Sequence, residues 1–364
     1  MKTFLMRLLA ATSLLLMALV IVIYNTTLQP DEIEQVAIHC QDDTPEFDDT
    51  LPLKVLSYNV QFFAGKDYVF YFDLPNNQGP DLRPSKNATE LTIEGIAALI
   101  KQQKPDIVFL QEVHDGAKAT DHTDQLALLQ QALQEEAFPC SSSAFYWQAD
   151  FVPHPKIMGS VGMKMTTLSR YRLSYSTRHQ LAKQPMDVVS QQFYLKRAIL
   201  QSTMPSQQGR NWQLLNTHFD AFAQGSDTMQ KQVSYTHNLL SALEDQQLPW
   251  IIGGDFNLLV PSSYQSLAAH QHYLYNPESE LTPLISAFPS VPSMHNMASE
   301  KRHRWYTHLP NDPAVVAPDR TIDYIFYSPR LNLLHSEVLN TGKALKLSDH
   351  FPVVATFTSN NLKE

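Results

Sequence analysis

Two things are scarce in this chain: cysteine and surplus positive charge. Only Cys40 and Cys140 occur among 364 residues. With no Cys-x-x-Cys and no Cys/His cluster, a thiolate-held metal site of the zinc-finger kind is excluded. Lys and Arg number 27 against 36 Asp and Glu, a formal net charge of -9. The chain therefore lacks the basic footprint that gives strong sequence-independent binding to duplex DNA. An acidic total still leaves polyanionic substrates open, because a divalent cation reverses the sign locally. No repeat of fixed period appears and the composition does not break, which argues for one α/β unit rather than a repeat array. At 43% hydrophobic and 17% charged, the composition is that of a globular protein.

The first feature present is an apolar run. Lys2 and Arg7 precede Leu8 to Tyr24, interrupted only by Thr12 and Ser13. This run is at the short end for a membrane-spanning helix and slightly long for a signal-peptide core. No Ala-x-Ala site follows; Ala18-Leu19-Val20 is the nearest approach. Residues 1–25 thus read first as an uncleaved signal anchor and second as a cleaved signal peptide. Positive residues before the run, with Asp31, Glu32 and Glu34 after it, put the N-terminus in the cytoplasm and the bulk outside, periplasmic or extracellular. Residues 26–50, rich in acidic and polar types, read as an extended linker off the membrane. In an exported protein the two cysteines suit one disulfide tethering this leader to a loop; two free or buried thiols are the alternative.

Residues 51–360 alternate between strand-like and helix-like stretches and read as one catalytic domain. Strands are predicted for Leu53 to Val60, Ile107 to Val113, Gly159 to Leu168, Val188 to Leu200, Trp212 to Phe219, Trp250 to Asn257, Arg320 to Tyr327 and Phe351 to Phe357. Helical spacing covers Thr89 to Gln102, Thr123 to Ala137 and Gln230 to Leu243. Phe62 to Asn87, with its prolines and glycines, reads as a long loop, and Pro261 to Lys301 as loop with short helical pieces. Polar residues recur at the strand ends: Asn59, Glu112, His218, Asp255, Asn257, Asp323, Asp349 and His350. Gly253-Gly254-Asp255-Phe256-Asn257 is the densest of these stretches. Residues two apart on an extended chain project to one side, so Asp255 and Asn257 point together. The two glycines allow a turn and the close approach of another backbone or a ligand. Each polar residue alone has a structural explanation as a turn or cap.

As an ordered set, Ser57-Tyr58-Asn59-Val60, Phe109-Leu110-Gln111-Glu112-Val113, Asn216-Thr217-His218-Phe219, Gly253-Gly254-Asp255-Phe256-Asn257, Thr321-Ile322-Asp323-Tyr324 and Leu347-Ser348-Asp349-His350-Phe351 resemble the endonuclease/exonuclease/phosphatase family. The resemblance implies a deoxyribonuclease I-like four-layer fold, a two-sheet α/β sandwich flanked by helices. It also implies hydrolysis of phosphoesters, as diesters or nucleic acid, with Mg2+, Mn2+ or Ca2+. By resemblance, Glu112 is a metal ligand with Asn59 beside it, and Asp349 joins the same or a second ion. Asp255 orients or deprotonates water, Asn257 and His218 donate to phosphoryl oxygens, and Asp323 holds His350. Oxygen donors suit a hard divalent ion, which provides charge stabilisation that acid/base groups alone do not.

One departure is that Gln61, Phe62 and Phe63 stand where some nuclease members carry an extra acidic residue, which weakens a two-ion reading. Arg197 is either a phosphate contact or a buried ion pair. The substrate is left as a lipid head group, a nucleic acid or a small phosphate ester. No protein partner is expected. The aromatics Phe62, Phe63, Tyr68, Phe70, Tyr71 and Phe72 suit lipid contact, base stacking or plain packing under a loop. A non-catalytic binding module on the same fold is the reading from another class.

Overall fold

A computed structural model describes residues 1–364 except 67, 75–77, 81–82, 135–137, 222 and 360–364. The chain opens with α1 (Lys2–Thr26), which buries none of its residues and is long and apolar enough, by length and composition, to cross a membrane. A signal sequence meets the same test.

Two seven-stranded sheets follow. Their strands in chain order are β1 (Ile33–Gln35), β2 (Ile38–Cys40), β3 (Leu53–Asn59), β4 (Ile107–His114), β5 (Cys140–Val152), β6 (Gly159–Ser169), β7 (Tyr175–Gln180), β8 (Ala198–Pro205), β9 (Asn211–His218), β10 (Trp250–Asp255), β11 (Ser290–Val291), β12 (Asp323–Tyr327), β13 (Leu331–Val338) and β14 (Val353–Ser359). The first sheet runs β13-β14-β3-β4-β6-β5-β2 and the second β1-β7-β8-β9-β10-β12-β11. The remaining helices are α2 (Lys86–Gln103), α3 (Gln125–Leu133), α4 (Val188–Phe193), α5 (Thr228–Asp245), α6 (Thr282–Ala287) and α7 (Met294–Ala298).

Strand periodicity builds the layers. Along β3, Val55 packs between the sheets with Phe109, Ile251 and Ile325, while Leu56 and Tyr58 pack outward with Ile93 and Ile96 of α2. The central strands are therefore apolar on both faces, as strands covered on both sides must be. On the far side Leu215 and Ile252 meet Val233 and Leu240 of α5. The result is the helix, sheet, sheet, helix sandwich expected from the sequence. Each sheet has a parallel pair at its middle, β3 with β4 and β9 with β10. Antiparallel β14 and β12 flank these pairs.

Several stretches differ from expectation. Residues 26–50, expected as a linker, are packed onto the domain. β1 pairs with β7 at an edge of the second sheet and β2 with β5 at an edge of the first. Phe47 is fully buried, and the buried Asp49 carboxylate meets Arg210 Nε at 2.7 Å. Apolar positions scattered among acidic ones made this stretch look solvated. Cys40 and Cys140 are disulfide-bonded, tethering the leader as expected, but through its edge strand β2 to the neighbouring strand β5 rather than to a loop. Val188 to Leu200 is not one strand: Asp187 caps α4 with its side chain, and only Ala198 onward is extended. β5, β7 and β13 were not foreseen, since Ser, Gln, Asn and His interrupt their apolar alternation. α3 covers Gln125–Leu133, and residues 135–137 of the expected helix lie outside the described residues, as do 67, 75–77 and 81–82 of the expected first loop.

The glycines of β10 do not turn the chain; both lie inside the strand. A Cβ on Gly253 would stand 2.7 Å from Phe109 Cδ2 of the facing sheet, and one on Gly254 would stand 2.0 Å from Thr217 O of β9. Their use is close approach.

Candidate active site

The polar strand ends meet at one end of the sandwich. Asn59, Glu112, His218 and Asp255 sit at or near the carboxyl ends of β3, β4, β9 and β10, the edge where open α/β sheets place ligands. β12 runs antiparallel to β10 and pairs Asp323 with Asp255, so its first residue reaches the same edge. Asp349 and His350 lie just before β14, which is antiparallel to β3.

Asn59 Nδ2 donates to Glu112 Oε1 and to Asp255 Oδ2, each at 3.1 Å, and so bridges the two sheets. Its Oδ1 accepts the Gln61 N–H at 3.0 Å. In this orientation Asn59 turns its amide nitrogen, not its oxygen, towards the carboxylates; ligation through the oxygen would need the amide to rotate. Gln61 Oε1 in turn accepts the Asp349 N–H at 3.2 Å. Thus the residue where an extra acid was missed ties Asn59 to Asp349.

Glu112 occupies a break in register between Leu110 and Val113 and has φ +60°. That left-handed conformation costs about 1–3 kcal/mol for a non-glycine residue. Tyr146 Oη accepts the Glu112 N–H at 3.1 Å and lies 3.1 Å from His218 Nδ1. Because Nε2 faces the Asp255 and Glu112 carboxylates, the neutral ring carries its proton there, and Nδ1 then accepts from the Tyr146 hydroxyl. That Nε2 faces Asp255 Oδ2 at 3.3 Å. Burial, aided by the Arg197 charge, holds His218 well below the usual imidazole range, so it is neutral.

Asp255 is fixed by Asn257, whose backbone N–H donates to Oδ1 at 2.9 Å. Asn257 itself has φ +51° and donates its carboxamide to Phe219 O at 3.2 Å. His350 Nδ1 lies 2.9 Å from Asp323 Oδ2, and Thr307 Oγ1 donates to the same oxygen at 2.7 Å. Burial opposes charge on His350, but Asp323, Asp255 and Asp349 outweigh it and raise its pKa well above normal. His350 Nε2 is left 3.7 Å from Asp255 Oδ2 and 3.9 Å from Asp349 Oδ1.

Burial raises Glu112, and it pushes Asp255 up to about 7. Burial causes both shifts and outweighs the opposing charges of His350 and, for Glu112, Arg197, so a further cation beside these carboxylates would favour their ionised forms. Oxygen donors dominate, and Glu112, His218 and Asp255 can offer one ligand atom each within 4.8 Å of one another. The donor set fits a hard divalent cation.

All eight sequence candidates therefore converge. Six of them line a cleft of about 850 Å³, with Asn59 and Asp323 behind as supports. Arg197 also lines it: its Nε is 3.6 Å from Asp220 Oδ1 and its guanidinium 5.1 Å from the Tyr146 ring. Nε and Nη1 make no hydrogen bond, so the ion pair leaves it incompletely satisfied. Tyr146, Thr307 and His308 were missed. Tyr146 lies on the unforeseen β5, and Thr307 and His308 sit in a stretch with no periodic signal. His308 stacks obliquely on His350, ring centres 4.5 Å apart, with Nε2 3.8 Å from Asp349 Oδ2.

Comparison with solved structures places this fold beside an endonuclease/exonuclease/phosphatase from Beutenbergia cavernae DSM 12333, with TM-score 0.55 and 19% identity over 85% of this chain and 72% of that one. The human Nocturnin catalytic domain with bound sulfate anion matches with TM-score 0.53 and 18% identity over 86% and 95%. D. rerio TDP2 complexed with single strand DNA product matches with TM-score 0.50 and 16% identity over 85% and 99%. Among curated proteins none matches significantly. The family model for the Endonuclease/Exonuclease/phosphatase family matches residues 56–350, most of the chain, and the chain belongs to that family.

Proposed function

We propose that this protein is a divalent-metal-dependent phosphodiesterase held at a membrane with its catalytic domain outside the cytoplasm. The observation that carries the reading is the convergence of Glu112, Asp255, His218, Asp349 and His350 on one cleft, with family membership behind it. Glu112 and Asp349 would hold the ion, Mg2+ in the first instance, with Asn59 orienting Glu112. Such a cation, when bound, stabilises charge on the phosphoryl oxygens.

The chain's own groups do the rest. Asp255 Oδ2 accepts the proton of the attacking water, whose oxygen bonds to phosphorus as the bond to the leaving oxygen breaks. His350, charged and oriented by Asp323, gives its Nε2 proton to that leaving oxygen. The proton on Asp255 then returns to His350, 3.7 Å away. His218 and Asn257 donate to phosphoryl oxygens, and the incomplete hydrogen bonding of Arg197 beside its ion pair with Asp220 supports a part in anion binding.

Lys2 and Arg7 before the apolar run Leu8 to Tyr24 and acids after it support export of the domain. The disulfide supports an oxidising compartment. Within this reading the catalytic domain takes in the packed leader as well as residues 51–360. A second reading, cleavage of single-stranded nucleic acid, is favoured by the aromatic cleft rings Phe72, Tyr71 and Tyr273, which suit base stacking. It is also the kind of product bound to the D. rerio protein named above.

The test is hydrolysis of bis(p-nitrophenyl) phosphate with Mg2+, Mn2+ or Ca2+ against chelator. Metal-dependent turnover that Glu112→Ala and His350→Ala each abolish is expected. Equal turnover in chelator or in both variants rejects the assignment.

A further inference from the structure

The junction between the apolar helix and the domain bears on the substrate. α1 ends at Thr26, and the next residues already belong to the domain. Thr27 bridges Ala149 on β5, the Leu28 N–H donates to Gln148 O at 2.8 Å, and Gln29 Nε2 donates to Gln192 Oε1 of α4 at 2.9 Å. No free spacer separates helix from domain, so a bilayer that holds α1 lies against the surface around this junction.

That surface is apolar. Val188 and Val189 open α4 at 81% and 62% exposure, and Phe151 and Met158 flank the β5–β6 turn at 48% and 51%. Outward valines in a first helical turn add nothing to the core. They are nevertheless held in place, because Asp187 caps the turn through the N–H groups of Val189 and Ser190, both at 3.0 Å. Lys156 and Lys183 lie in the same segments as Asp150 and Asp187, so the patch is locally balanced although the chain is acidic. The same elements form one wall of the catalytic cleft, through Trp147, Val152, Ile157, Val189 and Phe193.

We propose that this face rests on the bilayer and that the cleft draws its phosphodiester from a membrane phospholipid, entering along the α4 wall. The inference rests on the phosphodiesterase reading above and names a substrate class for it. Each methylene of a lipid chain buried against such a wall adds to its binding, whereas a soluble polar ester gains nothing from it. The helix junction, the apolar patch and the cleft wall are all carried by β5, α4 and the β5–β6 turn, which is why a lipid fits better than a nucleic acid.

The full chain is reconstituted in mixed phosphatidylcholine and phosphatidylglycerol vesicles, carrying a nitroxide at Val188→Cys or, as a distant control, at His335→Cys on β13. The label at 188 is expected to be open to oxygen and shielded from a water-soluble nickel chelate, the one at 335 the reverse. Equal nickel access at both overturns the docking. With Mg2+, Val188→Asp combined with Phe151→Asp is expected to lower vesicle turnover by about tenfold or more relative to turnover of bis(p-nitrophenyl) phosphate. An equal fall on both substrates overturns the inference, as does faster wild-type cleavage of single-stranded DNA than of vesicle lipid. Failure of the wild type on the soluble diester would instead sink the phosphodiesterase reading, which the nitroxide measurement does not touch.

Discussion

The two sheets share a plan and reach the cleft by different means. Each has a parallel pair at its centre, yet the first sheet arrives at the site distorted and the second arrives regular. In the first, β4 slips register beside Glu112, and Gln61, Phe62 and Phe63 all have positive φ, at 47°, 39° and 53°. In the second, β10 stays extended through Asp255, and its first left-handed residue is Asn257. A carboxylate on a regular pleat points where the alternation sends it. Glu112 has been re-aimed by a bulge, as bulges near active sites do, whereas Asp255 is carried into place by how closely Gly253 lets the sheets approach. Backbone distortion aims one acid and backbone proximity aims the other.

The largest test of that contrast is Asp255→Asn, which keeps shape and removes the proposed base. We expect kcat to fall by about 10³-fold while the urea midpoint holds; a fall under tenfold would mean that the regular sheet only supports the site. Next comes the staple on the edge of the distorted sheet. Cys40→Ser with Cys140→Ser opens a closed loop of 100 residues and should cost about 4 kcal/mol in urea unfolding. Metal-dependent kcat of the molecules that remain folded should not change.

Gly253→Ala attacks the proximity itself, since its Cβ meets Phe109 and Ser57. Overpacking of this kind costs about 1–3 kcal/mol and should lower kcat as well. An unaffected kcat would show that sheet spacing does not set the position of Asp255. Tyr146→Phe removes the hydroxyl that joins Glu112 to His218, at about 1 kcal/mol or roughly fivefold in kcat. Finally, His179 in the second sheet is buried between Tyr235 and Gln201, and burial lowers its pKa. The unfolded chain then binds the proton more readily than the folded one, so stability is full above the ordinary value of 6.5 and declines as pH falls below it. His179→Gln should flatten that decline in urea titrations between about pH 7 and pH 5.

What the sequence disclosed follows the same division. Leu53 to Asn59 and Trp250 to Asp255 are compact apolar runs ending in polar residues, so both the strands and the polar tips that meet at the cleft could be read directly. The set Asn59, Glu112, His218, Asp255, Asp323, Asp349 and His350 was legible because each ends or precedes such a run. β5 was hidden because Ser141, Ser142 and Ser143 pack against neighbouring strands in place of apolar side chains, and Tyr146 was hidden with it. His308 and Thr307 reach the site by bridging from an irregular stretch, as His308 pairs with both Arg320 and His350. No local pattern encodes a contact of that kind. The bulge at Glu112 was invisible for a related reason, because register is a property of two strands and not of one.

The leader contributes one strand to each sheet and a cystine to one of them. A soluble version trimmed to begin at Leu51 would strip β1 from Thr177 to His179 and β2 from Cys140 to Ser142, leaving raw edges and an orphaned thiol. Bare edges of that sort invite strand-to-strand aggregation. The shortest trimmed protein to purify therefore starts near Leu28, immediately after the apolar helix.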